Sequence, residues 1–361
     1  MRILRDYIIK ELISPLIFGL AIFTFILIMD RIFDLTNLIV TKGVSINTVG
    51  TLLLYTLPFS VSLSIPMALL MATLMAFGRL SQDNEITAMK ASGINTYRIM
   101  LVPIAFALVF SLGMMFFNDV VVPSSNYAFK KLYYGIIYKH PAIKLEEHTF
   151  VDLKEHRLYI EKINSKTSRL ENIIIYKTSD DTLITAARGS LEAGRDSITL
   201  NLQDGTIHSV DKKNPLGYNR VAFNYYTITL DLGDEISREK IAQKSIREMN
   251  TAELKTQIDD FKKKNINTNV LLVELYQRTV IPFACLAFVL IGTPLGIKTQ
   301  RGSRSIGFGL SLILIFVYYL LLLLGITIGE KGWMPPLIAT WLPNIFMGVC
   351  GILFMIKTAK H

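Results

Sequence analysis

The sequence is nearly without cysteine: among 361 residues only Cys285 and Cys350 occur, each inside a long apolar run. That excludes a disulfide framework and a thiolate metal centre, and leaves two thiols that behave as small buried hydrophobes. No G-x-x-x-x-G-K-[ST] stretch is present, so the chain has no P-loop to cradle nucleotide phosphates. A G-x-S-x-G elbow is also missing, which removes one route to nucleophilic hydrolysis. His140, His148, His156, His208 and His361 never fall at metal-ligand spacing and read as solvated side chains. Carboxylates are missing from the depth of the apolar runs, where a proton relay would need them. The net charge is +9, yet the basic residues gather beside the apolar runs instead of forming a stripe, which argues against a nucleic-acid partner.

What the sequence has is apolar length. Hydrophobic residues make up 51% of it and are concentrated in blocks long enough to cross a bilayer. Six candidate spans emerge: Leu12 to Met29, Val49 to Phe77, Ile99 to Val122, Val270 to Ile297, Ile306 to Ile328 and Pro335 to Ile356. Arg2 and Arg5 precede the first, but no small-residue cleavage site follows it and it ends in Met29-Asp30-Arg31, so it reads as an anchored span rather than a signal peptide. An even number of spans puts both termini on one side. Arg2, Arg5 and Lys10, then Arg79, Lys90 and Arg98, then Lys298, Arg301 and Arg304, then Lys357 and Lys360 share that side, which the positive-inside rule makes cytoplasmic. The second span carries Pro58 and Pro66 with Ser60, Ser62 and Ser64 between them. Proline and serine at membrane depth are tolerated where neighbouring helices satisfy the freed groups, so this span is expected to face protein.

Between the third and fourth spans the chain is polar and β-patterned. Thr149 to Leu153, Arg157 to Ile163, Asn172 to Tyr176, Ser197 to Leu202 and Val221 to Leu232 are rich in β-branched and aromatic residues and are bounded by turn formers. Without helical periods between them, they predict an antiparallel sandwich or open roll. Gln203-Asp204-Gly205-Thr206 reads as a hairpin turn. From Ser237 to Asn265 the pattern is that of a polar connector helix.

Two sets of residues stand out as candidate sites. Gly78 to Arg98 is a short polar insert between two apolar spans: Ser81-Gln82-Asp83-Asn84 are helix-start residues, Glu85 to Lys90 a short helical run, and Gly93 a stop. Glu85, Met89 and Ser92 fall on one face of that run, which suits either docking in a partner's groove or resting on the bilayer surface. At the other end of the first span, Arg31, Asp34 and Lys42 follow the apolar run. They are open to two readings, snorkelling anchors or a cavity-facing site for a phosphorylated head group. Glu274 and Arg278, one helical turn apart, predict a local ion pair.

The segment Gly78-Arg79-Leu80-Ser81-x-x-x-Glu85-Ile86-Thr87-Ala88-Met89-Lys90-Ala91-Ser92-Gly93, with Pro294-Leu295-Gly296 and the order of three spans, a β domain and three spans, resembles the lipopolysaccharide export permeases of the LptF/LptG (YjgP/YjgQ) family over essentially the whole chain. The resemblance implies a polytopic α-helical membrane protein with six transmembrane helices and an inserted, β-jellyroll-like periplasmic domain. Residues 1–122 then hold spans one to three with a coupling helix near 81–93, residues 123–269 the β domain and connector, and residues 270–361 spans four to six. It also implies a permease subunit of an ABC-type exporter in the Gram-negative inner membrane, which extracts lipopolysaccharide from the outer leaflet and passes it to periplasmic jellyroll partners. The expected partners are a cytoplasmic ABC ATPase dimer, a paralogous permease completing a heterodimer, periplasmic jellyroll proteins and a bitopic jellyroll subunit. ATP would be bound by the ATPase, so no cofactor is expected in this chain. Glu85 matches the family's acidic residue that engages the ATPase, and Asp83, Ile86, Met89 and Gly93 belong to the same coupling segment. Arg31 matches a basic residue that contacts lipid phosphate, with Asp34 its acidic companion; Lys42 lies in a loop that varies in the family. The coupling segment is more similar to LptF, whereas spans four to six are no less similar to LptG. The alternative to an exporter is a non-transporting inner-membrane receptor or scaffold whose β domain binds a partner.

Overall fold

The computed structural model describes residues 2–40, 44–139, 148–153, 156–164, 169–178, 182–193, 197–210, 218–231, 243–298 and 304–360. Each expected apolar run is helical within them. Lipid offers no hydrogen bonds, so an apolar run satisfies its backbone only by winding on itself. The helices are α1 (Arg2–Val40), α2 (Ile46–Gln82), the short α3 (Glu85–Ala91), α4 (Thr96–Phe116), a π-helical turn (Phe117–Val121), α5 (Val122–Lys139), α6 (Thr251–Lys263), α7 (Asn269–Lys298), α8 (Arg304–Glu330) and α9 (Pro336–Lys360). Six helical stretches are long and apolar enough to cross a membrane, the third being α4 continued through the π turn into α5.

The first three spans overrun their expected ends. Helix α1 has 39 residues and α2 has 37. At 1.5 Å per residue each is roughly 55 Å long, against a hydrocarbon core of ~30 Å. The extra turns have packing of their own: Leu35 and Leu38 of α1, Val49 and Leu52 of α2 and Ile136 of α5 form a separate buried cluster with Phe129 and Leu132. Winding continues past the apolar run because burial continues.

The chain divides into two compact units. The first contains the chain up to Asp30, Thr56–Asn126 and everything from Ser245. Its centre is the pair α2 and α7, each with 72% of its apolar window buried. Ser60, Ser62 and Ser64 are buried as expected of a span facing protein. Glycine brings the two helices together: a Cβ at Gly292 would overlap the Thr73 hydroxyl, and one at Gly296 would lie 2.8 Å from Phe77 Cβ. Small residues one helical turn apart allow backbone approach where lipid supplies no hydrophobic drive. Polar side chains tie α4, α8 and α9 to this pair. Ser111 of α4 donates to the Pro282 carbonyl of α7, and Ser62 of α2 to Asn118 of the π turn. Asn344 of α9 donates to the Val280 carbonyl at 2.8 Å and accepts from Tyr318 of α8 at 3.0 Å.

Helix α6 also belongs to this unit and begins at Thr251, later than the expected Ser237. Residues 232–242 lie outside the described residues. Two successive capping boxes, Ser245 with Glu248 and Asn250 with Glu253, stop and restart the backbone, so Ile246–Glu248 is only a 3-10 turn.

The second unit, Arg31–Tyr55 and Tyr127–Lys244, carries a six-stranded antiparallel sheet. Its strands are β1 (Phe150–Leu153), β2 (His156–Asn164), β3 (Arg169–Lys177), β4 (Thr182–Ala193), β5 (Ser197–Val210) and β6 (Tyr218–Asp231), paired in sequence order as a meander. Strand β4 escapes sequence reading because its middle, Ala186-Ala187-Arg188-Gly189, has little β propensity. The expected hairpin at Asp204-Gly205 does not form. Both residues lie inside β5, whose pairing with β4 and β6 keeps one register on either side of them.

Asp204 is instead part of a crease. Pairing skips Glu161 opposite Asn172, Asn172 opposite Ala187, Ala187 opposite Asp204, and Asp204 opposite Asn224, a row running across five strands. Asn172 and Asp204 take left-handed backbone there, at φ 51 and φ 56. At the row every strand changes which alternate residue faces inward. Ile160 is followed by Ile163, Leu170 by Ile173, Ala186 by Leu191, Leu202 by Ile207 and Phe223 by Tyr226, all in one apolar cluster. A strict period of two would send the second member of most of these pairs outward. The crease keeps both halves of the sheet on a common core.

Candidate functional site

The Gly78–Arg98 insert is built by short-range rules. Helix α2 carries past the membrane-length run to Gln82, and the buried Ser81 hydroxyl donates to the Ile297 carbonyl of α7 at 2.7 Å. Asn84, with left-handed backbone at φ 57, turns the chain into α3. At the other end Gly93 has φ 80, its N–H bonds the Lys90 carbonyl at 2.9 Å, and the Ile94 N–H reaches back to Met89 at 3.1 Å. This is a Schellman stop, completed by Ile94 and Met89 packing on one apolar cluster. Asn95 then caps α4 by accepting from the Tyr97 N–H at 2.9 Å.

The expected site residues are thereby given different surroundings. Ile86 is 3% exposed and points into the cluster with Ile8, Phe77, Leu80 and Ile99. Met89 is half-buried against it. Asp83 and Gly93 are exposed, as are Thr87, Ala88, Ala91 and Ser92, which give α3 an outward face of small side chains. Glu85 is half-buried and held: its Oε2 accepts from the Tyr7 hydroxyl at 2.7 Å, and its Oε1 lies 3.6 Å from Arg79 Nη2. Arg79 Nη2 also donates to the Tyr7 hydroxyl at 3.0 Å and pairs with Glu11 Oε2 at 3.0 Å, while its Nε is 3.9 Å from Asp83. The Tyr7 hydroxyl therefore donates a hydrogen bond to Glu85 and accepts one from Arg79, joining α1, α2 and α3.

Tyr7 and Glu11 were not singled out by sequence reasoning, and Arg79 only as a cytoplasmic charge and a member of the insert's motif, not as a partner of Glu85. Their signal was faint: Tyr7 and Glu11 lie one helical turn apart, on one face, just before an apolar run.

Of the second set, Arg31 and Asp34 form an exposed ion pair along α1 at 3.9 Å. Lys42 lies outside the described residues. Glu274 and Arg278 each find a partner from another element. Glu274 lies 3.9 Å from Arg247, and Arg278 lies 3.8 Å from Asp119 of the π turn and donates to the Ile246 carbonyl at 3.2 Å. Asp119 accepts from the Thr251 N–H at 2.7 Å as well, so it caps α6. The π turn aims both Asn118 and Asp119 at neighbouring helices, and a cavity of about 210 Å³ lined by Ser62, Asn118, Gln277 and Arg278 opens beside it. Among the described residues there is no group of three or more His, Cys, Asp or Glu able to hold a metal ion.

Six apolar spans, an antiparallel sheet inserted between the third and fourth, and a polar helix-turn between the second and third define a polytopic membrane protein with an inserted β domain. The family model for the lipopolysaccharide export system permease LptF/LptG matches residues 6–357, and the chain belongs to that family. It is thus a multi-pass inner-membrane protein of lipopolysaccharide export. It is also similar to the uncharacterized protein RP871 of Rickettsia prowazekii (strain Madrid E), 24% identical over 289 residues, which is 78% of each chain.

Proposed function

We propose that this chain is the energy-coupled half of a permease pair: it takes lipopolysaccharide from the outer leaflet and hands it to periplasmic jellyroll proteins, driven by a cytoplasmic ATPase dimer that docks on α3. Both termini and the insert lie in the cytoplasm in this reading, because the flanking Lys and Arg residues concentrate there. The second subunit is a paralogous permease.

The observation that carries the reading is the outward face of α3. A seven-residue helix is too short to be stable alone, yet here it is stopped by a Schellman motif and anchored by Ile86, while Thr87, Ala88, Ala91 and Ser92 are left uncovered. Small exposed side chains on a rigid helix fit close approach by a groove in another protein. Arg31 and Asp34, with Lys42, are proposed to meet the phosphorylated head group, for which the planar guanidinium is suited.

Replacing Ala88 and Ala91 together with tryptophan tests the docking face. The expected outcome is normal accumulation of the chain with loss of ATPase copurification. Full ATPase recovery with unchanged transport would overturn the reading. It would favour the receptor or scaffold alternative if the separate β domain then retained partner binding.

A further inference from the structure

We infer that Tyr7 and Arg79 fasten the first span to the coupling segment, so that a load on Glu85 is delivered to α1. This rests on the coupling role proposed above, and names what that role moves.

The spans are not held alike. Helices α2, α4, α7, α8 and α9 are joined by side-chain hydrogen bonds at membrane depth, through Ser62, Ser111, Asn344, Tyr318 and Tyr319. Helix α1 between residues 12 and 29 has no side-chain hydrogen bond or ion pair to another span among the described residues, and the buried Thr24 hydroxyl there has no partner at all. Its contacts in that stretch are apolar: Leu16 and Phe23 join the central cluster, Gly19 lies close to Ala68 of α2, and only 22% of its apolar window is buried. Lipid is as apolar as these side chains, so between residues 12 and 29 the span is held by packing such as that at Gly19, with no directional polar bond to set its depth or rotation.

Every polar tie of this span within the first unit sits at its N-terminal end. Tyr7 and Glu11 both meet Arg79 Nη2 at 3.0 Å, and Tyr7 binds Glu85 at 2.7 Å. The arrangement is a joint: Arg79 belongs to the buried α2, Glu85 to α3, and Tyr7 bridges them from α1. Movement of α3 at Glu85 has a direct polar route into α1. The Tyr7 hydroxyl cannot follow Glu85 and keep Arg79 unless the guanidinium moves as well. Tyr7 and Arg79 are positioning residues; neither is assigned contact with lipid or nucleotide.

The test uses the complete transporter in proteoliposomes, with spin labels on Ile17 of α1 and on an exposed residue of α9, comparing Tyr7→Phe, Arg79→Gln and Arg79→Lys. Tyr7→Phe removes two charge-assisted hydrogen bonds, the one donated to Glu85 and the one accepted from Arg79, so lipopolysaccharide released per ATP hydrolysed is expected to fall by about tenfold or more. The nucleotide-dependent change in the label distance should shrink with it, and Arg79→Lys should restore part of what Arg79→Gln loses. Unchanged release per ATP together with an unchanged distance response in both Tyr7→Phe and Arg79→Gln would overturn the inference. Glu85→Ala separates the two levels. If it abolishes transport while Tyr7→Phe and Arg79→Gln leave it intact, the coupling role stands and the fastening fails. If Glu85→Ala itself transports normally, the coupling role has failed first.

Discussion

Helices α2 and α7 are 72% buried over their apolar windows, α1 and α8 only 22% and 28%, and the buried pair is the less apolar of the two. A soluble protein would reverse that order. In lipid the surroundings are as apolar as leucine, so hydrophobicity does not decide which helix goes inside. What decides it is close approach and polar bonding. The buried pair carries Ser60, Ser62, Ser64, Thr73, Gly292, Thr293 and Gly296, whereas α8 shows Leu312, Ile313, Phe316, Leu320 and Leu323 outward.

The contrast is broken most strongly at the glycine contact. Gly292→Leu places a branched side chain against Thr73 and Leu70, and overpacking of this kind costs about 3 kcal/mol. The expected result is a large loss of monodisperse protein after heating, followed by size-exclusion chromatography in detergent. The next effect belongs to Asp119→Ala, which uncaps α6 at Thr251 and removes the carboxylate beside Arg278, itself 9% exposed. A hydrogen bond to a charged group is worth about 2 kcal/mol, and hydrogen exchange of the first turn of α6 should rise accordingly. Asn344→Leu removes the bonds to Tyr318 and the Val280 carbonyl, and interhelical bonds in membranes average ~0.6 kcal/mol, so a small fall in thermal midpoint is expected. Leu323→Ala on α8 should shift the midpoint within ~0.5 kcal/mol, since that side chain is 65% exposed. A shift at Leu323 as large as that at Gly292 would mean that α8 is covered by protein there in the assembled transporter.

The β unit obeys the opposite logic, and there sequence reading was least complete. Its core is hydrophobic in the ordinary sense, with Ile175 and Leu200 fully buried. Residue type and turn boundaries identified β1, β2, β3, the start of β5 and β6 but could not register the crease, because a change of phase in a single strand looks like imperfect patterning. Only when β2 to β6 lie side by side do Glu161, Asn172, Ala187, Asp204 and Asn224 form one line. Asp204-Gly205 carried a correct local message, a left-handed residue beside a glycine, attached to the wrong structure. Thr185 and Phe223 crowd Gly205 from the neighbouring strands, and a hairpin tip would have no such neighbours.

At the insert the division falls between short and long range. Start residues, a short helical run and a glycine stop were legible because caps and left-handed turns are set by three or four adjacent residues. That Ile86 turns inward and that Tyr7 holds Glu85 across 78 positions was not legible, since nothing local to Glu85 calls for a tyrosine.

The sequence by itself determined the six spans, the inserted antiparallel sheet and the capped helix of the insert, because lipid, backbone hydrogen bonding and turn chemistry each act on neighbouring residues. Only the tertiary structure decided which spans are inner, where the sheet creases, and that Glu85 is joined through Tyr7 and Arg79 to the first span. Those outcomes depend on how closely particular backbones approach and which donors then face which acceptors, and that is settled only when distant segments pack.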